Sequence, residues 1–236
     1  LKVNEIYGPV KQGEGKSAGK EVMFVRLALC NLHCSWCDTP YTWNWIGTNF
    51  KHPDKHDPKK EVRIMDYDEI LRHLFLKSRT VQAVVLSGGE PMVQQGRLIG
   101  LLQLLKRHSY WIEVETNGTI APTNKFLSLV DQINCSPKLS NSDNSQAQRE
   151  RPHALQTLAQ SSKTNFKFVV ATPVDIEEIL GLVNKYQFRD VYLMPQGRTK
   201  NEICSSQDLV QSLCTQHGFH FTSRLHILEH GNKRGV

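Results

Sequence analysis

Residues 23–37 read MFVRLALCNLHCSWC, an apolar run that ends in three cysteines. Cys30, Cys34 and Cys37 are separated by three and then two residues. Iron–sulfur clusters are held by Cys thiolates and usually take four of them. Three at this spacing hold three irons of a cubane and leave one iron open for a small molecule. The run before them, Met23 to Leu29, has the length and composition of a buried strand. A strand that delivers ligands from its C-terminal end is how α/β sheets and barrels build their sites, so this stretch sets the expectation for the fold. Zinc is the competing reading, because the three cysteines with His33, or with His52 or His56, make a closed tetrahedral set. Zinc knuckles come as paired CxxC or as CxxC followed by HxxxH, and no second knuckle follows here.

The chain has 236 residues and six cysteines, with a formal net charge of +6. That length suits one large α/β domain with a sizeable core. Three cysteines crowd into eight positions and the rest are scattered, which is no secreted disulfide framework; a reducing cytoplasm fits better. No apolar run is long enough to span a bilayer and no basic-then-apolar leader stands out, so a soluble protein is expected. The basic residues are interleaved with acids, so the charge reads as a solvated surface rather than a nucleic-acid stripe.

Strand-like runs alternate with helical patterns, the signal for parallel βαβ units. After Met23 to Leu29 come Val81 to Ser87, Trp111 to Glu115, Ile133 to Ser136, Phe166 to Val170 and Val191 to Met194, with a last strand near His220 to Ile227. Leu98, Leu101, Leu102 and Leu105 lie at helical spacing, and Asp66 with Glu69 and Asp175 with Glu178 read as helix starts. Two stretches break the rhythm. Residues 41–62, rich in Pro, Lys, Asp and His, read as an exposed insertion or partner loop after the cysteine loop. Residues 139–150, LSNSDNSQAQRE, read as a mobile loop.

Five unusual motifs fall at the C-terminal ends of the parallel strands: the cysteine loop, Gly88-Gly89-Glu90-Pro91, Glu115-Thr116-Asn117-Gly118, Ser136-Pro137-Lys138 and Met194-Pro195-Gln196-Gly197. Five on one edge make a site. Residues two apart on a strand share a face, so Arg26 points the same way as Cys30. A guanidinium rarely stays buried without a partner, and Glu14 or an anionic substrate is the carboxylate expected for it. Glu113 and Glu115 alternate with Ile112 and Val114, so both glutamates face the interior if the apolar pair faces the helices. Gly88-Gly89 lets backbone approach a ligand closely. Cys135, Cys204 and Cys214 show no cluster spacing and read as core or surface thiols, while His226 is a weak site candidate.

Taken together, QGEG at 12–15, Arg26, CNLHCSWCDT at 30–39, SGGEP at 87–91, ETNG at 115–118, SPK at 136–138 and the ending RLHILEHGNKRGV resemble the 7-carboxy-7-deazaguanine synthases of the radical S-adenosylmethionine (SAM) superfamily. The resemblance implies an α/β fold, an open, partial parallel β/α barrel of about six strands, in one domain over 1–236 with 219–236 closing the barrel. It implies a lyase that converts 6-carboxy-5,6,7,8-tetrahydropterin to 7-carboxy-7-deazaguanine with loss of ammonia, using a 4Fe-4S cluster, SAM and Mg2+. By the same resemblance Cys30, Cys34 and Cys37 hold the cluster and Thr39 is a magnesium ligand. Lys11, Gln12, Gly13, Glu14, Arg26 and Ser87 meet the pterin; Trp36, Gly89, Glu90, Glu115, Ser136, Pro137, Lys138 and Gln196 meet SAM. A homodimer and an external flavodoxin- or ferredoxin-type electron donor are expected, with no membrane or nucleic-acid partner. Lys11 departs from the family, which commonly has Leu or Phe before QGEG. Two rivals share parts of the pattern. A glycyl-radical activase uses the same cluster and GGEP motif on a protein substrate, and a zinc-stabilised RNA-binding module would use the basic surface.

Overall fold

In a computed structural model that describes residues 1–236, the alternation of strands and helices resolves into one open nine-stranded sheet. Its strands are β1 (Lys2–Lys11), β2 (Glu21–Leu27), β3 (Arg63–Ile64), β4 (Ala83–Gly88), β5 (Trp111–Thr116), β6 (Gln132–Cys135), β7 (Thr164–Val170), β8 (Val191–Pro195) and β9 (His220–Phe221), arranged β3-β1-β2-β4-β5-β6-β7-β8-β9. From β2 to β8 six neighbouring strands run parallel, as expected, and β9 adds a short seventh. β1 pairs antiparallel with both β2 and β3. Its mixed sequence KVNEIYGPVK lacks the clean alternation of a half-buried strand, which is why it escapes a pattern-based reading.

Helices fill the connections between the strands. α1 (Pro58–Glu61), α2 (Tyr67–Lys77), α3 (Gln95–Arg107), α4 (Asn124–Leu129), α5 (Gln146–Arg149), α6 (Pro152–Ala159), α7 (Asp175–Tyr186), α8 (Lys200–His217) and α9 (Leu225–His230) connect or follow the strands. α2 begins where the sequence places it, with the Asp66 carboxylate accepting from the Glu69 N–H at 2.7 Å. α7 begins at Asp175 by another device. The Asp175 carboxylate accepts from the preceding Ala171 and Thr172 N–H groups, and Glu178 pairs with Arg149 instead of closing a capping box. Leu98, Leu101, Leu102 and Leu105 of α3 are fully buried in a core of 39 residues between the helices and the sheet. Each contributes about 1.5–3 kcal/mol of hydrophobic stabilisation.

Three expectations are corrected. Residues 41–62 are not simply an exposed insertion: Tyr41, Thr42, Trp43, Asn44 and His52 are buried, because the segment folds back on the cysteine loop. Residues 139–150 are not a free loop either, since Leu139, Ser142, Asn144 and Arg149 are buried. The last strand ends at Phe221, and Leu225 onward is helical.

Gly88 fixes how closely β4 approaches β2. Its φ is +142°, and a Cβ there would lie 2.1 Å from the Leu27 carbonyl oxygen. A Gly88→Ala protein is therefore expected to lose more than roughly 3 kcal/mol of stability, since steric overlap and backbone strain add. Denaturant unfolding checks this, and a loss under about 1 kcal/mol contradicts it.

Candidate active site

The loops at the C-terminal ends of the parallel strands enclose a cavity of about 360 Å³. The structure brings to its wall Lys11, Gln12, Gly13, Glu14, Arg26, Ser87, Trp36, Gly89, Glu115, Ser136, Lys138, Gln196, Thr39 and the three clustered cysteines. Pro137 and Glu90 are not on that wall. Glu90 lies fully buried beneath it, its carboxylate accepting from the Met92 and Asn117 N–H groups and from Thr116 Oγ1. That carboxylate braces the GGEP and ETNG turns against each other, so what reaches the cavity from GGEP is backbone at Gly88-Gly89. Gly89 sits so close to the cysteine loop that a Cβ would fall 2.2 Å from the Leu29 carbonyl oxygen.

One wall is sulfur. Cys30 Sγ receives the Leu32 N–H at 3.5 Å, Cys34 Sγ the Asn144 side-chain N–H at 3.3 Å, and Cys37 Sγ the Trp43 indole N–H at 3.3 Å. Donors aimed at sulfur suit thiolates that ligate a metal cluster. Burial raises the pKa of all three thiols, that of Cys34 to about 11, and coordination deprotonates such a thiol outright. The residues therefore fit a cluster with three protein ligands. No three of the cysteine, histidine and carboxylate side chains converge on one metal ion, as a zinc tetrahedron requires. His33 stacks on Phe50 with ring centroids 3.6 Å apart, and His52 Nε2 lies 3.0 Å from the Cys37 carbonyl oxygen. His56 Nδ1 lies 3.9 Å from Glu61, and its Nε2 has no hydrogen-bond partner.

The opposite wall is built of acceptors. Glu113 and Glu115 both face inward, as the alternation predicts. Gln12 Nε2 donates to Glu113 Oε1 at 2.7 Å and to Glu115 Oε1 at 3.2 Å. Both amide hydrogens are thereby spent, which leaves the Gln12 carbonyl oxygen to face a ligand. Glu115 also accepts from Ser87 Oγ at 2.7 Å. Glu113 is fully buried and takes further donors from Asn134, Gln132 and Ser17. Burial first, and then the Glu115 charge, push its carboxyl up to about 7.

Arg26 stands beside this wall, but its partner differs from the one expected. Its Nε donates to Glu5 Oε1 at 2.8 Å and its Nη2 to the Tyr7 hydroxyl at 2.6 Å, both on β1, the strand the sequence reading missed. Nη1 makes no protein hydrogen bond. Glu14 lies instead in a buried ion network. It accepts from Lys167 and, at 2.9 Å, from Arg224 Nε; Arg224 also donates to Asp38 and to the Gly197 carbonyl. Burial works against the ionised forms, yet Lys167 and Arg224 hold the Glu14 carboxyl well below its usual range, and Glu14 and Glu115 raise Lys167. His226 Nε2 lies 3.9 Å from Glu14, and burial lowers its pKa. A Cβ on Gly13 would fall 2.3 Å from His226 Nδ1, so Gly13 is what lets the QGEG turn meet His226.

Thr39 precedes the short 3-10 helix Pro40–Thr42 without capping it. Its hydroxyl, 3.6 Å from Cys37 Sγ, stays available to the cavity. One neutral oxygen is no magnesium site alone, but Mg2+ commonly keeps waters and takes its other oxygens from substrate. Sequence reasoning missed Lys167, Arg224, Asp38, Trp43 and Asn144. Lys167 carried a readable signal, since it alternates with Phe166 and Phe168 on an otherwise apolar strand. Arg224 opens the C-terminal motif RLHILEHGNKRGV, but its role is not legible there because its partners come from three distant loops.

Comparison with known proteins places this geometry. The Radical SAM superfamily profile matches residues 26–203. The chain is 34% identical over its whole length to the 7-carboxy-7-deazaguanine synthase of Pyrobaculum aerophilum, covering 97% of that protein. It is 32% identical to the Halobacterium salinarum synthase, over 96% of this chain and 89% of the relative. The crystal structure of QueE from Escherichia coli shares the fold with a TM-score of 0.72 at 24% identity, covering 95% of this chain and 94% of that one.

Glu113 gives the site a pH signature. Its carboxyl is raised from 4.5 to about 7 in the folded protein, so between those values the folded state holds more protons than the unfolded one. Stability then falls as pH rises through that window. Glu113→Gln removes the dependence. The stability of wild type relative to Glu113→Gln is expected to drop between pH 5 and pH 8 by on the order of 3 kcal/mol, read from denaturation curves; a pH-independent difference contradicts it.

Proposed function

The chain belongs to the 7-carboxy-7-deazaguanine synthase family of the radical SAM superfamily, a radical SAM lyase of 7-deazaguanine biosynthesis, and from that premise we propose how its own cavity handles the substrate. The ligand is 6-carboxy-5,6,7,8-tetrahydropterin. Its carboxylate is met by Arg26, and Thr39 would be the protein oxygen for a magnesium ion that supplies further positive charge there. Its amino and ring N–H donors are met by Glu115 and the Gln12 carbonyl oxygen. The observation that carries this reading is the division of one cavity into a wall of three sulfurs and a wall of acceptors beside a cation.

When bound, the cluster and SAM supply one-electron chemistry that removes a hydrogen atom from the substrate. The protein's own part is positional. Cys30, Cys34 and Cys37 would hold the cluster, and the backbone at Gly89 with Ser136 and Lys138 would hold SAM beside it. Gln12 and Glu115 orient a ring by hydrogen bonds from its edge, and the fixed geometry does the work that entropy would oppose in solution. Lys167 lies 3.9 Å from Glu115 and adds a positive charge to the cavity wall. Gly13 and His226 close the cavity on the side of the QGEG turn, which limits water at the reacting carbon.

The finer parts of this reading are Mg2+ at Thr39, a flavodoxin- or ferredoxin-type donor, a homodimer and a cytoplasmic setting. The uncapped Thr39 hydroxyl supports the first. Six free thiols suit a reducing compartment, and no helix is long and apolar enough to cross a membrane. The exposed Ile64 on edge strand β3 is an apolar group that a second copy would cover.

Anaerobic calorimetry with 6-carboxytetrahydropterin tests the assignment. Wild type is expected to bind, and Arg26→Ala to bind at least tenfold more weakly, since a hydrogen bond to a charged group contributes about 1.5–3 kcal/mol. An enzyme acting on a protein backbone predicts no pterin binding and no dependence on Arg26.

A further inference from the structure

The two segments that read as an insertion and a mobile loop both grip the cysteine loop. From residues 41–62, Trp43, only 4% exposed, turns its indole N–H onto Cys37 Sγ at 3.3 Å. His52 of the same segment lies 3.0 Å from the Cys37 carbonyl oxygen, and Asn44 ties the segment closed by donating to the His52 and Asp54 carbonyls. From residues 139–150, Asn144 bridges two points of the loop. Its Nδ2 donates to Cys34 Sγ at 3.3 Å, and its Oδ1 accepts the His33 N–H at 2.9 Å. Ser35 N–H donates to the Ser142 carbonyl and Trp36 Nε1 to the Asn141 carbonyl, so this contact is held in register on both sides. Cys30, by contrast, receives only the backbone N–H of Leu32, at 3.5 Å.

Hydrogen bonds to ligand sulfur are one of the levers that set the potential of an iron–sulfur cluster. An N–H dipole pointing at sulfur favours the state with the extra electron, so each such bond makes the cluster easier to reduce. We propose that Trp43 and Asn144 are positioning residues that raise the reduction potential of the cluster through N–H···S bonds to Cys37 and Cys34. Residues 41–62 and 139–150 are then the part of this chain that sets how readily an electron enters. The inference rests on the assignment of the cluster to Cys30, Cys34 and Cys37, and goes beyond it in naming what tunes that cluster.

The test is a redox titration of the reconstituted full-length protein, followed by electron paramagnetic resonance, with iron and sulfide assayed in every sample. Trp43→Phe keeps a ring in the aromatic packing and deletes the N–H; Asn144→Leu deletes the second donor. Each is expected to shift the midpoint to more negative potential. At a poise fixed at the wild-type midpoint, the ratio of reduced to oxidised cluster should fall roughly fivefold, the equilibrium factor of one ordinary hydrogen bond. The two shifts should add, because the bonds act on different sulfurs. Thr48→Val loosens the same segment by deleting the hydroxyl that donates to Asn44 Oδ1 and the Trp45 carbonyl, without touching a sulfur, Trp43 or Asn144, and should leave the midpoint unmoved. Fully loaded Trp43→Phe and Asn144→Leu with wild-type potentials overturn the proposal, as does an equal shift in Thr48→Val. Should the variants fail to load, wild-type protein grown with 15N-indole tryptophan decides. A nitrogen coupling to the reduced cluster supports the Trp43 bond and its absence overturns it, Trp36 Nε1 being turned away onto the Asn141 carbonyl. A wild-type sample that assembles no cluster defeats the assignment to the three cysteines instead.

Discussion

Arg224 is the tie on which the cavity depends. Its guanidinium reaches Glu14 in the turn after β1, Asp38 immediately after the last clustered cysteine, and the Gly197 carbonyl after β8. Lys167 on β7 completes the charge balance around Glu14. Loops from both ends of an open sheet are thereby held to one point. Lys167 and Arg224 are buried and Glu14 and Asp38 partly so, and such a network stabilises only while its partners are present; removing Glu14 leaves buried cations unpaired, at a cost of about 3–5 kcal/mol. A sheet that does not close on itself lacks the strand pairing that would fix its two edges. Here an ionic tie does that work.

The tie also explains how two chemically opposed walls share a small space. N–H groups point at the sulfurs, while the Glu14 and Glu115 carboxylates line the same cavity beside Gln12. The acceptor wall is set from behind. Glu113 accepts from the amides of Gln12 and Asn134, and Glu90 holds the ETNG turn. Gly88 and Gly89 then let the β4 loop approach the cysteine loop at a distance no side chain would permit.

The sequence made the parallel strands and the functional edge legible because both depend on local pattern. Apolar runs of strand length, the helical spacing of Leu98 to Leu105, and motifs that each follow a strand can all be read within a few residues. The alternation at 111–115 even gave the inward direction of Glu113 and Glu115. What stayed hidden depends on distant partners. Arg26 was correctly turned inward, but its carboxylate came from Glu5 because β1, with its irregular pattern, was not recognised as the neighbouring strand. Glu90 looked like a ligand group and serves as a brace. Polar composition suggested that 41–62 and 139–150 were free, yet three of their buried side chains, Trp43, His52 and Asn144, are spent on the cysteine loop. Composition reports the average exposure of a segment and says little about its two or three anchoring residues.

The most direct test of the account as a whole is an anaerobic turnover of reconstituted protein with SAM, reductant, Mg2+ and 6-carboxytetrahydropterin, with products identified by mass spectrometry. The account predicts 7-carboxy-7-deazaguanine. If 5'-deoxyadenosine forms without it, the sulfur wall is correctly read and the acceptor wall is not; if neither forms in a fully loaded sample, the radical assignment itself is contradicted.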